Sequence, residues 1–160
     1  PGARIAVLHE DSEYGEDMFA GLREGLGRLS TRIVAVQRYK VTDSDLGSQI
    51  ARLKAARANV FMLFALPRQT IQAFLAAKKV AWKPKIFVNS VSIDPFVIEV
   101  VRRNAGSKAV DGAISSAALK DPTDPALARD PGGERPDVDV LEVVHRRSRR
   151  SRAEMTLVAS

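Results

Sequence analysis

The sequence contains no cysteine among its 160 residues, which excludes a disulfide scaffold, a thiolate metal site and a cysteine nucleophile in this chain. Aromatic residues make up only 6% of the chain, and none follows Phe96. No apolar run approaches the ~20 residues that a membrane-spanning helix requires. The glycine-rich phosphate-binding loops are missing after the first predicted strand. The chain therefore lacks the motifs of disulfide-rich, membrane-spanning and nucleotide-binding proteins.

The composition is that of a folded domain with a basic carboxyl-terminal tail. Hydrophobic residues make up 45% of the chain, charged residues 28%, and the formal net charge is +6; this balance excludes wholesale disorder. Residues 121–136 hold four prolines and two adjacent glycines, which predicts a linker. Arginines cluster between His145 and Arg152, but no aromatic side chain accompanies them for base stacking. We therefore expect residues 137–160 to form an irregular, solvated tail, and no nucleic acid partner.

Strand patterns alternate with helical patterns up to residue 120. The strands are predicted at residues 4–8, 33–39, 60–64, 86–88 and 110–119. The first helix carries an apolar stripe at helical spacing, namely Met18, Leu22, Leu26 and Leu29. Its glycines are expected to permit close approach to the sheet: Gly21, Gly25 and Gly27. The alternation predicts an α/β domain over residues 3–120, with a doubly wound, mainly parallel five-stranded sheet and helices on both faces.

Polar side chains collect in the loops that follow the predicted strands. In an open parallel sheet, ligands bind beyond the carboxyl ends of the strands. The corresponding loops, at residues 9–15, 40–45, 65–68 and 89–94, hold hydroxyls, amides, short acids and an aromatic ring: His9, Asp11, Ser12, Tyr14, Thr42, Asp43, Asn89, Ser90 and Ser92. Loops and helix caps use the same residue types, so each residue alone is also explained by local structure. Together the set predicts a crevice for a small polar molecule.

No arrangement of these residues predicts catalysis. His9, Asp11 and Ser12 are the residue types of a hydrolase triad, but contiguous positions do not give the geometry of nucleophile, base and orienting acid. The acids of this loop resemble the cation site of a receiver domain, yet the third strand ends in Phe64 without the further Asp that such a domain requires. The two histidines lie too far apart in the sequence to predict a metal site. We therefore expect no enzyme, and no bound cofactor or metal.

Several short segments share their order and spacing with those of a known family. They are residues 5–15 (IAVLHEDSEYG), 41–43 (VTD), 48–54 (SQIARLK), 64–67 (FALP), 82–84 (WKP), 89–92 (NSVS) and 119–125 (LKDPTDP). In this order they resemble the second lobe of type I periplasmic binding proteins of the leucine/isoleucine/valine-binding type. Each segment alone is unspecific, whereas their succession over residues 3–131 is fairly specific.

The resemblance implies one lobe of a two-lobed receptor, closing about a hinge on an amino acid or similar small carboxylate. It also implies a periplasmic protein that, at full length, delivers this ligand to the membrane permease of an ABC transporter. At the matching positions, Tyr14 would pack against the ligand, and Asp43 would receive an ammonium group or orient a polar one. The other ligand-binding residues implied are Thr42, the rim residues Ala65, Asn89 and Ser92, and His9 facing the cleft between the lobes.

The sequence departs from the family pattern in two ways. An amino-terminal lobe is missing, so we expect half a pocket, and a lone lobe with an uncovered interlobe face could associate with itself. From about residue 133 the resemblance stops, and we expect residues 133–160 to be out-of-frame or otherwise non-native sequence. Because the chain starts at Pro1 rather than Met, we also expect a mature fragment whose leader has been removed.

Two other functions stay open at this point. Effector-sensing domains of receptors and transcription regulators share the predicted architecture, as do flavodoxin-like enzymes and receivers. The ligand is equally open, since branched aliphatic, aromatic and amide-bearing acids all suit loops of this composition.

Overall fold

Strands and helices alternate along the part of the chain that this computed structural model describes, residues 2–92 and 95–115. The strands are β1 (Ile5–Glu10), β2 (Ile33–Tyr39), β3 (Val60–Phe64), β4 (Lys85–Val88) and β5 (Ile114–Ser115). The α-helices are α1 (Glu13–Leu26), α2 (Gly47–Ala55), α3 (Pro67–Lys79) and α4 (Pro95–Ala105). Short 3-10 helices cover Gly27–Arg32, Ser90–Ser92 and Ser107–Ala109.

The described strands form one parallel sheet in the order β2-β1-β3-β4-β5. Its register aligns an apolar row across all five strands, consisting of Val36, Val7, Met62, Phe87 and Ile114. The strand order reverses at β1, because the chain moves first to β2 on one side and then to β3 on the other. This order is that of a doubly wound α/β sheet, and the predicted fold class is confirmed.

Right-handed crossovers place α1 on one face of the sheet and the other three α-helices on the opposite face. In agreement, α1 packs on β1 and β3, whereas α2 packs on β1, β2 and α3, and α3 packs on α4. The main core lies on the three-helix face and joins sheet residues to buried helix residues, including Leu8, Phe61, Leu63, Ile50, Leu53, Phe74 and Val101. Burying each such side chain contributes roughly 1.5–3 kcal/mol. This packing holds the loops at the carboxyl edge of the sheet.

Two strand boundaries differ from the prediction by two residues or more. Strand β1 continues to Glu10, so His9 belongs to the strand and not to the loop after it. The predicted fifth strand from Val110 is wrong at its start, because β5 begins at Ile114. A 3-10 helix and a turn with Gly112 at φ +75° occupy the preceding residues. Apolar content alone does not separate such a turn from a short edge strand.

The prediction for the first helix's glycines is also wrong. A Cβ at Gly21 or Gly25 would meet nothing within 4 Å, so neither residue approaches the sheet. Gly27 ends α1 with φ +51°, a conformation that favours glycine. The close approach is at Gly15, where a Cβ would lie 2.0 Å from the Glu10 carbonyl oxygen.

Several expectations lie outside the described residues. They concern the fifth strand beyond residue 115, the segment 119–125, the linker at 121–136 and the tail at 137–160. None of the helices in the described ranges has the length and hydrophobicity needed to cross a membrane.

Candidate ligand-binding surface

The carboxyl ends of the parallel strands meet at one edge of the sheet, and the predicted site residues follow those ends. Tyr14 lies in the first turn of α1, after β1, and Thr42 and Asp43 lie in the loop after β2. Ala65 follows β3, and Asn89 follows β4. We call the surface formed by these loops and helix starts the carboxyl-edge surface. A single edge therefore gathers residues that are up to 75 positions apart in sequence.

Tyr14 is held at this surface both by the start of α1 and by a hydrogen bond to its phenol oxygen. At its backbone, Ser12 caps α1 by accepting a hydrogen bond from the Gly15 amide at 3.3 Å, while Gly15 allows the helix to start against Glu10. At its tip, the phenol oxygen lies 2.8 Å from Asn89 Nδ2. The ring bridges the loops after β1 and β4, and 40% of the residue is exposed. Tyr14 thus presents a partly exposed aromatic ring at the carboxyl-edge surface, and its role toward a ligand stays a prediction.

Ala65, Asn89 and Ser92 are buried beneath the surface. Asn89 Oδ1 accepts a hydrogen bond from the Ala65 amide at 3.4 Å. The Ser92 hydroxyl donates to the Ala65 carbonyl and accepts from Thr70 Oγ1 at 2.8 Å. These contacts tie the ends of β3 and β4 to the start of α3. In this structure the three residues support the surface more than they line it, and their role toward a ligand stays a prediction.

Thr42 and Asp43 lie in an exposed turn that Asp43 itself stabilises. The Asp43 Oδ2 atom accepts hydrogen bonds from the Lys40 amide at 3.0 Å and from Gln49 Nε2 at 3.4 Å. Within the described residues Oδ1 accepts none, so this oxygen can still receive a donor from a ligand. Thr42 is exposed beside it. The carboxylate therefore combines a structural role with an available acceptor.

His9 is placed differently from the expectation that it faces a cleft. Its side chain is fully buried, and its ring stacks on Phe19 of α1 with centroids 5.2 Å apart. Its Nδ1 lies 2.9 Å from the Glu10 carbonyl oxygen, and Nε2 is buried without a hydrogen-bond partner in the described structure. The reason is the period of a strand: β1 extends through residue 9, and alternation turns this side chain under α1. In this structure His9 does not reach the carboxyl-edge surface.

Tyr39 and Gln69 shape the surface, and the sequence interpretation did not select them. The Tyr39 hydroxyl donates to Glu10 Oε2 at 3.4 Å and accepts from the Leu66 amide at 3.1 Å. Burial raises the pKa of Tyr39 well above its ordinary value, so the phenol stays protonated. Gln69, buried at the start of α3, donates to the Val41 carbonyl at 2.9 Å. The sequence could have predicted a place at this edge for Tyr39, since it is the last residue of the predicted strand at 33–39.

The large apolar side chains that are exposed among the described residues all lie at this edge. They are Tyr14 and Val41, which follow β1 and β2, and Val91 and Phe96, which follow β4. Phe96 is the most exposed, at 70%. Clustered exposed apolar side chains mark surfaces that another molecule covers. The carboxyl-edge surface is thus both the polar and the apolar candidate for binding.

The surface is open rather than enclosed. The structure has a groove of about 560 Å³ beside α2 and α3 and an apolar cavity of about 130 Å³ between α3 and α4. Neither is lined by Tyr14 or Asp43. In the described ranges, no group of three or more His, Asp or Glu side chains could hold a metal ion. The geometry suits one wall of a cleft.

A sequence profile of the family described as periplasmic binding protein matches residues 1–130. The chain belongs to the periplasmic binding protein family. Members of this family are extracytoplasmic receptors that bind solutes and are not enzymes. Membership confirms the resemblance to type I periplasmic binding proteins and agrees with the expectation that the chain is not an enzyme. None of the curated proteins compared with this chain matched it significantly.

Solved structures of periplasmic binding proteins share the fold. A substrate-binding periplasmic protein from Ralstonia solanacearum has a TM-score of 0.60 at 23% identity, covering 70% of this chain and 31% of its own. A branched-chain amino acid ABC transporter periplasmic ligand-binding protein from Burkholderia xenovorans LB400 has a TM-score of 0.61 at 18% identity, over 79% and 33%. A fatty acid ABC transporter substrate-binding protein from Thermomonospora curvata has a TM-score of 0.57 at 20% identity, over 71% and 28%. The periplasmic binding protein chain described here therefore spans about a third of the length of these structures.

Proposed function

We propose that this chain is one lobe of a periplasmic solute receptor serving an ABC-type uptake system, and that it binds an amino acid or similar small carboxylate. The proposed lobe covers residues 3–120, followed by a linker at 121–136 and a tail at 137–160. Family membership supports the solute-binding role. Two structural relatives are described as binding proteins for branched-chain amino acids and for fatty acids, both of which join a carboxylate to an apolar chain.

The observation that carries the proposal is the composition of the carboxyl-edge surface. Exposed apolar side chains stand there beside a fixed phenol and an available carboxylate oxygen. An apolar chain can pack on Tyr14 and Val91, while Asp43 receives an ammonium group. Such a mixture of mostly apolar contacts and few placed polar groups is typical of small-molecule sites.

The proposed mechanism is hinge closure onto this surface. A ligand that contacts two lobes stabilises the closed state by the free energy of the contacts made only on closure. In the full-length protein, the closed receptor would then deliver its ligand to a membrane permease. When the partner lobe is absent, the same exposed apolar surface offers a site for self-association.

A ligand screen on the 160-residue chain tests the proposal. Two-dimensional NMR of the isotope-labelled chain would be recorded with individual amino acids and small carboxylates. We expect saturable shifts confined to residues of the carboxyl-edge surface for at least one compound. Tyr14→Ala should abolish the shifts, and Asp43→Asn, which retains the acceptor for the Lys40 amide, should weaken them. Lys83→Ala, exposed before β4 at the opposite edge, is the matched control and should leave them unchanged.

The outcome that would contradict the proposal is equally defined. Shifts that survive Tyr14→Ala, or that map to the amino edge of the sheet around Lys83, would place the binding elsewhere. Failure of all amino acids and carboxylates to shift the wild-type spectrum would contradict the small-carboxylate ligand class.

A further inference from the structure

The orientation of the Asn89 amide is fixed by its neighbours. Asn89 is only 3% exposed, and one end of its side chain lies 3.4 Å from the backbone nitrogen of Ala65. A backbone N–H only donates, so the atom facing it must be the amide oxygen, Oδ1. The other end, Nδ2, then faces the phenol oxygen of Tyr14 at 2.8 Å. The alternative orientation would set one donor against another at Ala65.

This orientation determines what Tyr14 can offer to a ligand. An amide nitrogen donates and does not accept, so the phenol oxygen must accept in the bond with Asn89. It is the one hydrogen bond that the Tyr14 side chain makes within the described residues. The phenol proton is therefore still available. The carboxylate of Glu10, at the same edge, accepts a hydrogen bond from the Tyr39 hydroxyl and not from Tyr14.

We infer that the Tyr14 hydroxyl donates a hydrogen bond to an acceptor oxygen of the ligand. Asn89 is the positioning residue, because its amide nitrogen directs the phenol hydrogen away from itself and toward the ligand. This inference rests on the proposed function and narrows its ligand class. The ligand group that faces Tyr14 is a carboxylate or carbonyl oxygen, and not an ammonium group. Asp43 suits the ammonium group of a ligand instead, because its available carboxylate oxygen can only accept hydrogen bonds.

Two probes with the same branched apolar chain and opposite end groups test the inference. Isocaproate ends in a carboxylate, and isoamylamine ends in an ammonium group. Each would be titrated into the 160-residue chain while the tyrosine signals are followed by NMR. The chain has two tyrosines, and the buried Tyr39 serves as an internal control for the exposed Tyr14. We expect isocaproate to shift the Tyr14 signal and to bind more tightly than isoamylamine does at this position.

The first variant, Tyr14→Phe, removes the donor and keeps the ring. We expect it to weaken isocaproate binding about tenfold, the effect of losing a hydrogen bond to a charged acceptor, with little change for isoamylamine. Backbone amide shifts at the carboxyl-edge surface give the affinities in variants that lack Tyr14. Equal isocaproate affinity for wild type and Tyr14→Phe would overturn the inference while leaving the proposed function intact.

The second variant, Asn89→Asp, reverses the direction of the bond. An aspartate still accepts a hydrogen bond from the Ala65 amide, but its other oxygen now accepts a hydrogen bond from the Tyr14 hydroxyl. The phenol oxygen can then only accept a hydrogen bond from the ligand. The preference should change from isocaproate to isoamylamine. The negative charge of Asn89→Asp by itself also favours the amine. The substitution is therefore also made in the Tyr14→Phe background, and the double-mutant cycle isolates the change in probe preference that depends on the phenol hydroxyl. A cycle energy of zero would contradict a positioning role for Asn89. Absence of any shift with either probe in wild type would instead count against the proposed function.

Discussion

At Gly15 the start of the first helix and the end of the first strand come into backbone contact. A Cβ built there would lie 2.0 Å from the Glu10 carbonyl oxygen and 2.9 Å from the Glu10 nitrogen. The obstacle is backbone, so it cannot move aside as the end of a flexible side chain can. This single residue therefore decides how closely α1, and with it Tyr14, can approach the carboxyl-edge surface.

We predict that Gly15→Ala destabilises the chain by about 1–3 kcal/mol or more, because the helix start must move away from β1. Gly25→Ala is the matched control in the same helix, where a Cβ would meet nothing within 4 Å. It should raise stability by about 0.5–1 kcal/mol, the ordinary gain from replacing a helical glycine. Urea unfolding followed by the fluorescence of Trp82, the chain's one tryptophan, measures both. Equal effects of the two substitutions would show that the contact at Gly15 carries no special constraint.

Residue identity predicted part of the surface and misplaced another part. The position of Tyr14, Thr42 and Asp43 at the carboxyl edge was predicted because they follow apolar strands, which requires only the topology of a parallel sheet. Their role toward a ligand stays a prediction. His9 was assigned to the loop because the sequence pattern does not show where the first strand ends. Strand β1 includes two more residues than predicted at its carboxyl end, and its alternation places the His9 side chain under α1. The Tyr14–Asn89 bond could not be predicted, since it depends on distances across three strands.

At the scale of elements, Tyr39 ties three strand ends together. It is the last residue of β2, and its carbonyl accepts a hydrogen bond from the Asp11 amide at 2.7 Å. Its hydroxyl joins Glu10, the last residue of β1, to Leu66 after β3. The side chain is 1% exposed, and this burial raises the pKa of its phenol. The elements that carry Tyr14 and the Asp43 turn are thus aligned by one neutral phenol.

We predict that Tyr39→Phe lowers stability by about 1–3 kcal/mol at pH 8, because the Leu66 amide loses its acceptor. The difference should shrink as the pH rises past about 10, the ordinary pKa of tyrosine. Above that pH the unfolded wild type loses its phenol proton while the folded state retains it, so the wild type alone loses stability through this group. Urea unfolding of both proteins at pH 8 and pH 11 measures the change. A difference that is constant across this range would contradict the role of buried Tyr39 as a protonated bridge.

The sequence predicted the first four strands well and the fifth poorly. Strands β1 and β3 stand out as apolar runs because they lie inside the sheet and are buried on both faces. The edge strand β2 is only half-buried, and its β-branched residues predicted it instead. The edge strand β5 has only two described residues, and apolar residues before it pack as a turn instead. The glycines of α1 misled for a similar reason, since an exposed glycine and one in close contact look the same in sequence.

At the scale of the whole molecule, the proposed function makes the carboxyl-edge surface one wall of a cleft between two lobes. Its large apolar side chains are exposed, and neither the groove beside α2 and α3 nor the cavity between α3 and α4 is lined by Tyr14 or Asp43. The chain spans about a third of the length of its structural relatives. The affinity of the chain for its ligand should therefore reflect only the contacts that this surface makes.

We predict that the 160-residue chain binds its amino acid or carboxylate with a Kd on the order of 1 mM. A receptor with a Kd of about 1 μM gains about 8 kcal/mol from its ligand, and one wall that supplies about half of this keeps about 4 kcal/mol, which corresponds to about 1 mM. NMR titration at several chain concentrations measures the Kd. Analytical ultracentrifugation of the same samples separates binding from self-association through the exposed apolar surface. A Kd in the micromolar range or tighter, in samples that are monomeric, would mean that this surface is a complete site and that closure by a second lobe is not needed for binding.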